Sequence, residues 1–165
     1  MIKEIVIEEM KKVFAELPYG IDHTLRVLSN AEIIMEQEQL EDTLRERIAL
    51  IAILHDIGAV EALHKYGSIE GKYQELEGPP AAERILTRLN HNPEEIHRIC
   101  YVIGHHHTPS KIDGLDFQIQ WEADLIENLL ASDIKEDAEK LRAVINKNFK
   151  TKGGRGLAER LLLRQ

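Results

Sequence analysis

The residues best suited to chemistry are a His-Asp pair, His55-Asp56, placed where the aliphatic run Leu50-Ile51-Ala52-Ile53-Leu54 stops. Ionisable groups on a buried helix are costly unless something compensates them. A metal ion accepts a neutral imidazole and a carboxylate together, which makes it the common compensation for such a pair. The same dipeptide also fits a polar helix terminus, with His55 interacting with the helix dipole. Gly58 fits a helix C-cap, which puts the pair in the last turn, at the mouth of the core. Three other places carry suitable groups: His23, the run His105-His106-His107, and Asp124. Taken singly, His23 fits a capping or surface imidazole, the run fits a polar loop, and Asp124 fits a solvated carboxylate. The chain holds eight histidines in 165 residues, and His is the commonest side-chain metal ligand near neutral pH.

Helices must position these groups. Residues 2–17 form an amphipathic stripe of Ile2, Ile5, Val6, Met10, Val13 and Phe14, ended by Pro18-Tyr19-Gly20. A second helix from about Ile21 to Glu38 carries His23 in its first turn and Arg26 on the same side. Glu41-Asp42-Thr43 opens a third, acidic at its start as the dipole favours, and it runs through the apolar stretch to His55-Asp56. From Gly58 to Pro80 five Gly and Pro positions interrupt the pattern before Pro80. This predicts an irregular flap over a site, holding Glu61, His64, Lys65, Tyr66, Tyr73 and Glu77. Pro79 suits the first turn of a helix to about Leu89. Further helices are predicted over Glu94 to Gly104, Phe117 to Leu130 with Asp124 in its middle, and Ile134 to Phe149. Gly153 and Gly154 break the last of these before a short final helix, Leu157 to Leu163. No strand pattern, repeat or low-complexity segment is present. The fold class is all-α, a single-domain helical bundle with a core over about 21–130 and flanking helices at 2–17 and 134–163.

Composition narrows the function. A hydrophobic share of 43% and a charged share of 30% are those of a globular protein. Aromatics are only 5%, so the core is built from aliphatic residues, which suits helix packing. The formal charge of −8 argues against non-specific nucleic acid binding and against anionic membranes. A metal would still allow a phosphate ester to bind by supplying local positive charge. The one cysteine, Cys100, excludes an intrachain disulfide. The first sixteen residues do not read as a signal peptide and no apolar run reaches membrane-spanning length, so the expected location is cytoplasmic.

Taken together, His23 within Asp22-His23-Thr24-Leu25-Arg26-Val27, the tetrapeptide His55-Asp56-Ile57-Gly58, and Asp124 within Glu122-Ala123-Asp124-Leu125 resemble the HD-domain superfamily of metal-dependent phosphohydrolases. The tetrapeptide is the HDIG variant, and the resemblance covers about Ile21 to Leu130. It implies a helical core binding one or two divalent metals (Mn, Fe, Mg, Co, Ni or Zn) and hydrolysis of a small-molecule phosphomonoester or nucleotide. On that reading His23, His55, Asp56 and Asp124 are metal ligands. Two imidazoles and two carboxylates form a mixed N/O set that leaves room for water and a phosphate oxygen.

For a second metal, Val102-Ile103-Gly104-His105-His106 looks like the histidine pair of dinuclear members, with Asp56 as the bridging carboxylate. Those members also place a His where this chain has Glu77, a residue that can itself ligate. Some mononuclear nucleotidases carry an acidic residue where this chain has Ala59, a departure that counts against that subgroup; Glu61 is the candidate catalytic carboxylate in its place. Arg26, Lys65 and Lys111 are the candidate phosphate contacts. Two other readings of the same residues are a non-catalytic metal- or nucleotide-binding module and a di-iron oxygenase of the HD type.

Overall fold

The computed structural model describes residues 1–163. Those residues are helical with no strand among them. The helices are α1 (Ile2–Val13), α2 (Tyr19–Glu36), α3 (Asp42–Leu54), α4 (Ala59–Tyr66), α5 (Gly71–Arg88), α6 (Pro93–Ile103), α7 (Leu115–Leu130), α8 (Ala138–Asn148) and α9 (Lys152–Ala158).

The centre is α3. Every residue from Ile48 to Leu54 is buried, so the helix is apolar all round and must be wrapped by others. α1, α2, α6 and α7 pack against it. Its aliphatic core continues into Val27, Ala31 and Ile34 of α2, Ile99 and Ile103 of α6, and Ile119, Ala123 and Ile126 of α7. Burying one such side chain contributes about 1.5–3 kcal/mol, so this layer is the main source of rigidity beneath the site.

Side chains then fix how the wrapping helices are set. Asn30 of α2 donates to the Ala123 carbonyl and to Glu127 of α7, and Arg26 donates to Glu127 as well. His23, Arg26 and Asn30 are spaced three and four apart, so one face of α2 meets α7. At the other end of α7, Asp116 accepts from Arg47 of α3 and Arg98 of α6. α6 starts on Asn92, whose side chain accepts from the Glu94 and Glu95 amides, with Pro93 at the first helical position.

The predicted flap over 58–78 is instead helical. α4 buries Ala59, Val60 and Ala62 and ends at Gly67, whose φ of 65° is the left-handed cap its missing Cβ permits. α5 begins at Gly71, and Pro79 and Pro80 lie inside it rather than at its start. Gln74, Gly78, Ala81, Ala82, Ile85 and Leu86 are its buried residues, at spacings of one turn. Burial of that stripe outweighs the two missing proline N–H donors. Gly58 is not a left-handed C-cap either. Its φ of −79° is right-handed, and it stands at the N-cap of α4. Its small size is needed for another reason: a Cβ there would lie 2.8 Å from the Gly78 Cα and the Glu77 carbonyl carbon. The backbones of the His55–Gly58 turn and of α5 therefore touch.

Gly153 and Gly154 likewise do not break the chain but lie within α9. A Cβ on Gly153 would sit 2.6 Å from the Ile34 carbonyl oxygen of α2, and one on Gly154 would strike Glu122 of α7. The two glycines let α9 approach both helices. Buried Glu122 secures the joint by accepting from the Thr151 hydroxyl and the Lys150 and Thr151 amides.

Candidate metal centre

His23, His55, Asp56 and Asp124 meet where α2, the end of α3 and the middle of α7 converge. α3 stops at Leu54, and His55 to Gly58 form a turn in which His55 is buried and Asp56 partly exposed. The Nε2 of His23 lies 3.1 Å from an Asp124 oxygen and 3.3 Å from Asp56 Oδ2. The Nε2 of His55 lies 3.2 Å from that same Asp56 oxygen and 3.5 Å from Asp124. The other oxygen of Asp56 faces elsewhere: Oδ1 lies 3.2 Å from His106 Nε2. Beyond His106 stands His107, the two rings 4.0 Å apart between centroids. Ligand atoms of His23, His55 and Asp56 lie within 4.8 Å of one another, and so do those of Asp56, His106 and His107. One carboxylate thus belongs to two imidazole groups.

The imidazoles are held by their far nitrogens. The Nδ1 of His55 donates to the Ala52 carbonyl at 2.7 Å, and the Nδ1 of His106 donates to the Ile103 carbonyl at 2.6 Å. Each bond fixes the ring and its tautomer, leaving Nε2 as the inward atom, which is how metal-binding histidines are usually supported. His55 is fully buried and its Nε2 has no hydrogen-bond partner. An orphaned buried nitrogen is costly. Here it points between two carboxylates, an arrangement that a cation would complete.

Protonation tells the same story. Hydrogen bonds to Asp124 and then Asp56 raise the His23 imidazole to about 9. Although burial opposes its charge, Asp56 and Asp124 hold the His55 imidazolium well above the ordinary range. Burial also opposes ionisation of Asp56 and Asp124, yet His55 and the neighbouring imidazoles hold both carboxyls well below theirs. The two carboxylates gather protons onto His23 and His55. Divalent cations would replace those protons on the same atoms, and the donor set of imidazole nitrogens and carboxylate oxygens suits Mn, Fe, Co, Ni or Zn.

The remaining sequence candidates fall outside this convergence. His105 donates from Nδ1 to the Tyr101 carbonyl and its ring packs on Tyr101, 4.5 Å between centroids. Glu77 accepts from Lys65 and from the Tyr66 hydroxyl, both at 3.0 Å. The α5 residue that reaches the histidines is Gln74, three positions earlier, whose Oε1 lies 3.2 Å from His107 Nε2. Glu61 lies 3.7 Å from Lys65 and lines a separate groove between α1, α4 and α5. Lys65 is spent on these two glutamates. Lys111 lies on an exposed turn where its carbonyl accepts from Tyr101. Arg26 is the candidate phosphate contact that borders the cavity beside His23 and Asp56.

Two participants stand outside the ligand set read from the sequence: His107, which that reading places in the histidine run but not among the ligands, and Gln74. The first follows from the turn after α6, which swings the third histidine rather than the first toward Asp56. A Cβ on Gly71 would meet the His107 ring at 2.7 Å, so α5 packs down on that ring and holds it.

A family model described as HD domain matches residues 20–146. Comparison with curated proteins and with solved structures gave no match. The matched span begins just before His23 and closes beyond Asp124, enclosing every residue of the cluster, and the chain belongs to the HD domain family.

Proposed function

We propose that this chain is a metal-dependent phosphohydrolase acting in the cytoplasm on a small phosphomonoester or nucleotide, its whole length forming one HD domain. The observation that carries this reading is the double allegiance of Asp56, with one oxygen toward His23 and His55 and the other toward His106. That arrangement suits two ions sharing one carboxylate. His23, His55, Asp56 and Asp124 would hold the first, and Asp56, His106 and His107 the second. Divalent ions at such a site supply positive charge to a phosphate and lower the pKa of a water.

The chain's own groups do the rest. The backbone carbonyls of Ala52 and Ile103 keep the Nε2 atoms of His55 and His106 aimed inward. Asp56 and Asp124 stay ionised, so they bind cations without first losing protons. Gln74, fixed by donation to the Ile69 carbonyl, orients His107. Arg26 stands at the rim, where a guanidinium can grip a phosphate oxygen.

The test is phosphate release from aryl phosphates and nucleoside monophosphates by protein loaded with Mn or Co, against chelated protein and Asp56→Asn. Release that depends on metal and on Asp56 is expected. Metal-loaded protein that releases no phosphate from any of these compounds would favour a non-catalytic module. Oxygen uptake by the iron form would favour an oxygenase.

A further inference from the structure

A cavity of about 290 Å³ opens beside His23 and Asp56. Its walls come from three separate places: Phe14 and Leu17 after α1, Tyr19 and Gly20 at the start of α2, and Ile69 between α4 and α5. The floor is built closely. A Cβ on Gly20 would fall 2.5 Å from the Phe14 ring, so that ring lies flat against the α2 backbone. Phe14 is buried, whereas Tyr19 and Ile69 are exposed at 59% and 38%. The exposed pair therefore frames the opening with apolar surface that nothing in the chain covers.

Several polar groups around the cavity are already engaged. Gln74 donates to the Ile69 carbonyl, and its oxygen is taken by His107. His23 is held by Asp124 and Asp56. Arg26 is the one ammonium or guanidinium group among the lining residues, and its Nε donates to Glu127 at 2.9 Å. A site that reads a nucleobase or a sugar needs unspent donors and acceptors aimed at those edges. A di- or triphosphate needs several cations beyond the metal centre. This cavity offers few of either: the Tyr19 hydroxyl and the terminal nitrogens of Arg26. It offers a small, mainly apolar chamber whose hydrophilic side is the cluster together with Arg26 and Gln74.

We infer that the cavity receives the alcohol part of a compact phosphate monoester, and that this part is apolar, of the size of a single ring or short branched chain. The inference rests on the phosphohydrolase reading and narrows it, favouring such monoesters over nucleotides. Tyr19 and Ile69 set the preference by flanking the apolar group, with the phosphate directed to Arg26 and to the ions that His23 and Asp56 would hold.

Binding of uncleavable phosphonates tests this apart from turnover. Calorimetric titration of the Mn-loaded protein would compare phenylphosphonate, methylphosphonate, inorganic phosphate, AMP and ATP. A ring buried in an apolar chamber should favour phenylphosphonate over methylphosphonate by at least about tenfold, with AMP and ATP weaker than phenylphosphonate. The ratio should fall toward one in Ile69→Trp, which fills the chamber, and drop severalfold in Tyr19→Ala, which opens it. Both sites are exposed, and circular dichroism checks that the variants stay folded. Equal binding of the phenyl and methyl compounds, or tighter binding of AMP or ATP, overturns the inference while leaving the phosphohydrolase reading standing. Failure of inorganic phosphate and both phosphonates to bind at all would overturn both.

Discussion

Gly58 and Gly78 meet backbone to backbone. The turn that carries His55 and Asp56 is pressed against the middle of α5, where a Cβ on Gly58 would intrude on the Gly78 amide. The contact fixes α5 relative to the cluster, and α5 in turn supplies Gln74 to His107. Gly58→Ala must therefore shift one backbone or the other. Overpacking of this kind costs about 1–3 kcal/mol, and the displacement should also weaken metal binding. Gly67→Ala is the control: its φ is positive but nothing lies within 4 Å, so it pays only a conformational penalty of about 1 kcal/mol. Thermal melts with and without Mn should show the metal-induced rise in Tm reduced in the first variant and preserved in the second.

Removing a cluster group should separate function from folding. His55→Ala and Asp56→Ala should abolish tight metal binding and hydrolysis while the far-ultraviolet dichroism stays helical. Both side chains face the polar cluster, and neither belongs to the aliphatic core that holds the helices together. Metal analysis of both purified variants decides. Full retention of metal in both would remove the turn from the site.

Asp124 and Asp116 share α7 but do different work. Asp124 faces His23 and His55. Asp116 is buried between Arg47 and Arg98; burial opposes its ionisation, but the two guanidinium groups lower its carboxyl pKa. Asp116→Asn should lower stability by roughly 3 kcal/mol, as breaking a buried ion pair does, and leave metal affinity near its native value. Asp124→Asn should do the reverse, and Asp133→Asn, on an exposed turn, should do neither. Urea melts and metal titration of the three variants read both effects; a common small change in all three would make Asp124 a solvated helix residue.

The helical class and the family were legible in the sequence because each rests on local signals. The apolar run of α3 followed by His55-Asp56-Ile57-Gly58 needs no tertiary knowledge. α5 was hidden because Gly71, Gly78, Pro79 and Pro80 all signal breaks, and only burial against α4 and α6 overrides them. The role of Gly58 was hidden for a related reason: close approach to a segment twenty residues away leaves no trace in local propensity. The histidine run shows a helix end but not which rings turn inward. That choice is made by Tyr101, which takes His105, and by Gly71, which leaves space for His107. Glu77 sits one turn too far along α5, and the reach of a helix face cannot be read while the helix itself goes unseen.

Protons and metal should compete at His23. Its folded imidazole is raised to about 9 from an ordinary 6.5 by Asp124 and Asp56. A raised folded value contributes stability that is fully present below pH 6.5 and lost as the pH climbs through 9. The metal-free protein should therefore melt at progressively lower temperature from pH 6.5 to 9, and His23→Ala should flatten that decline. Metal binding needs the neutral ring, so Mn affinity should rise over the same interval, with protons released on loading. Calorimetry in buffers of different ionisation enthalpy measures that release. No release at pH 7.5 would mean that the ion does not displace the His23 proton.

The histidine run decides nuclearity. Asp56 Oδ1, His106 and His107 form the second group, while His105 is bound to Tyr101. His106→Ala and His107→Ala should each lower metal stoichiometry from about two toward one per chain at saturating Mn, because a carboxylate oxygen with a single imidazole is a weak site. His106→Ala should have the larger effect, since its Nδ1 is anchored to the Ile103 carbonyl and its Nε2 lies against Asp56. His105→Ala should leave stoichiometry at two and cost only its packing on Tyr101. Gln74→Ala tests the support of His107 without touching any ion: it frees that ring, and the second affinity should fall while the first holds. One metal per native chain, unchanged in all four variants, would reduce the run to a structural turn and leave His23, His55, Asp56 and Asp124 as the whole site.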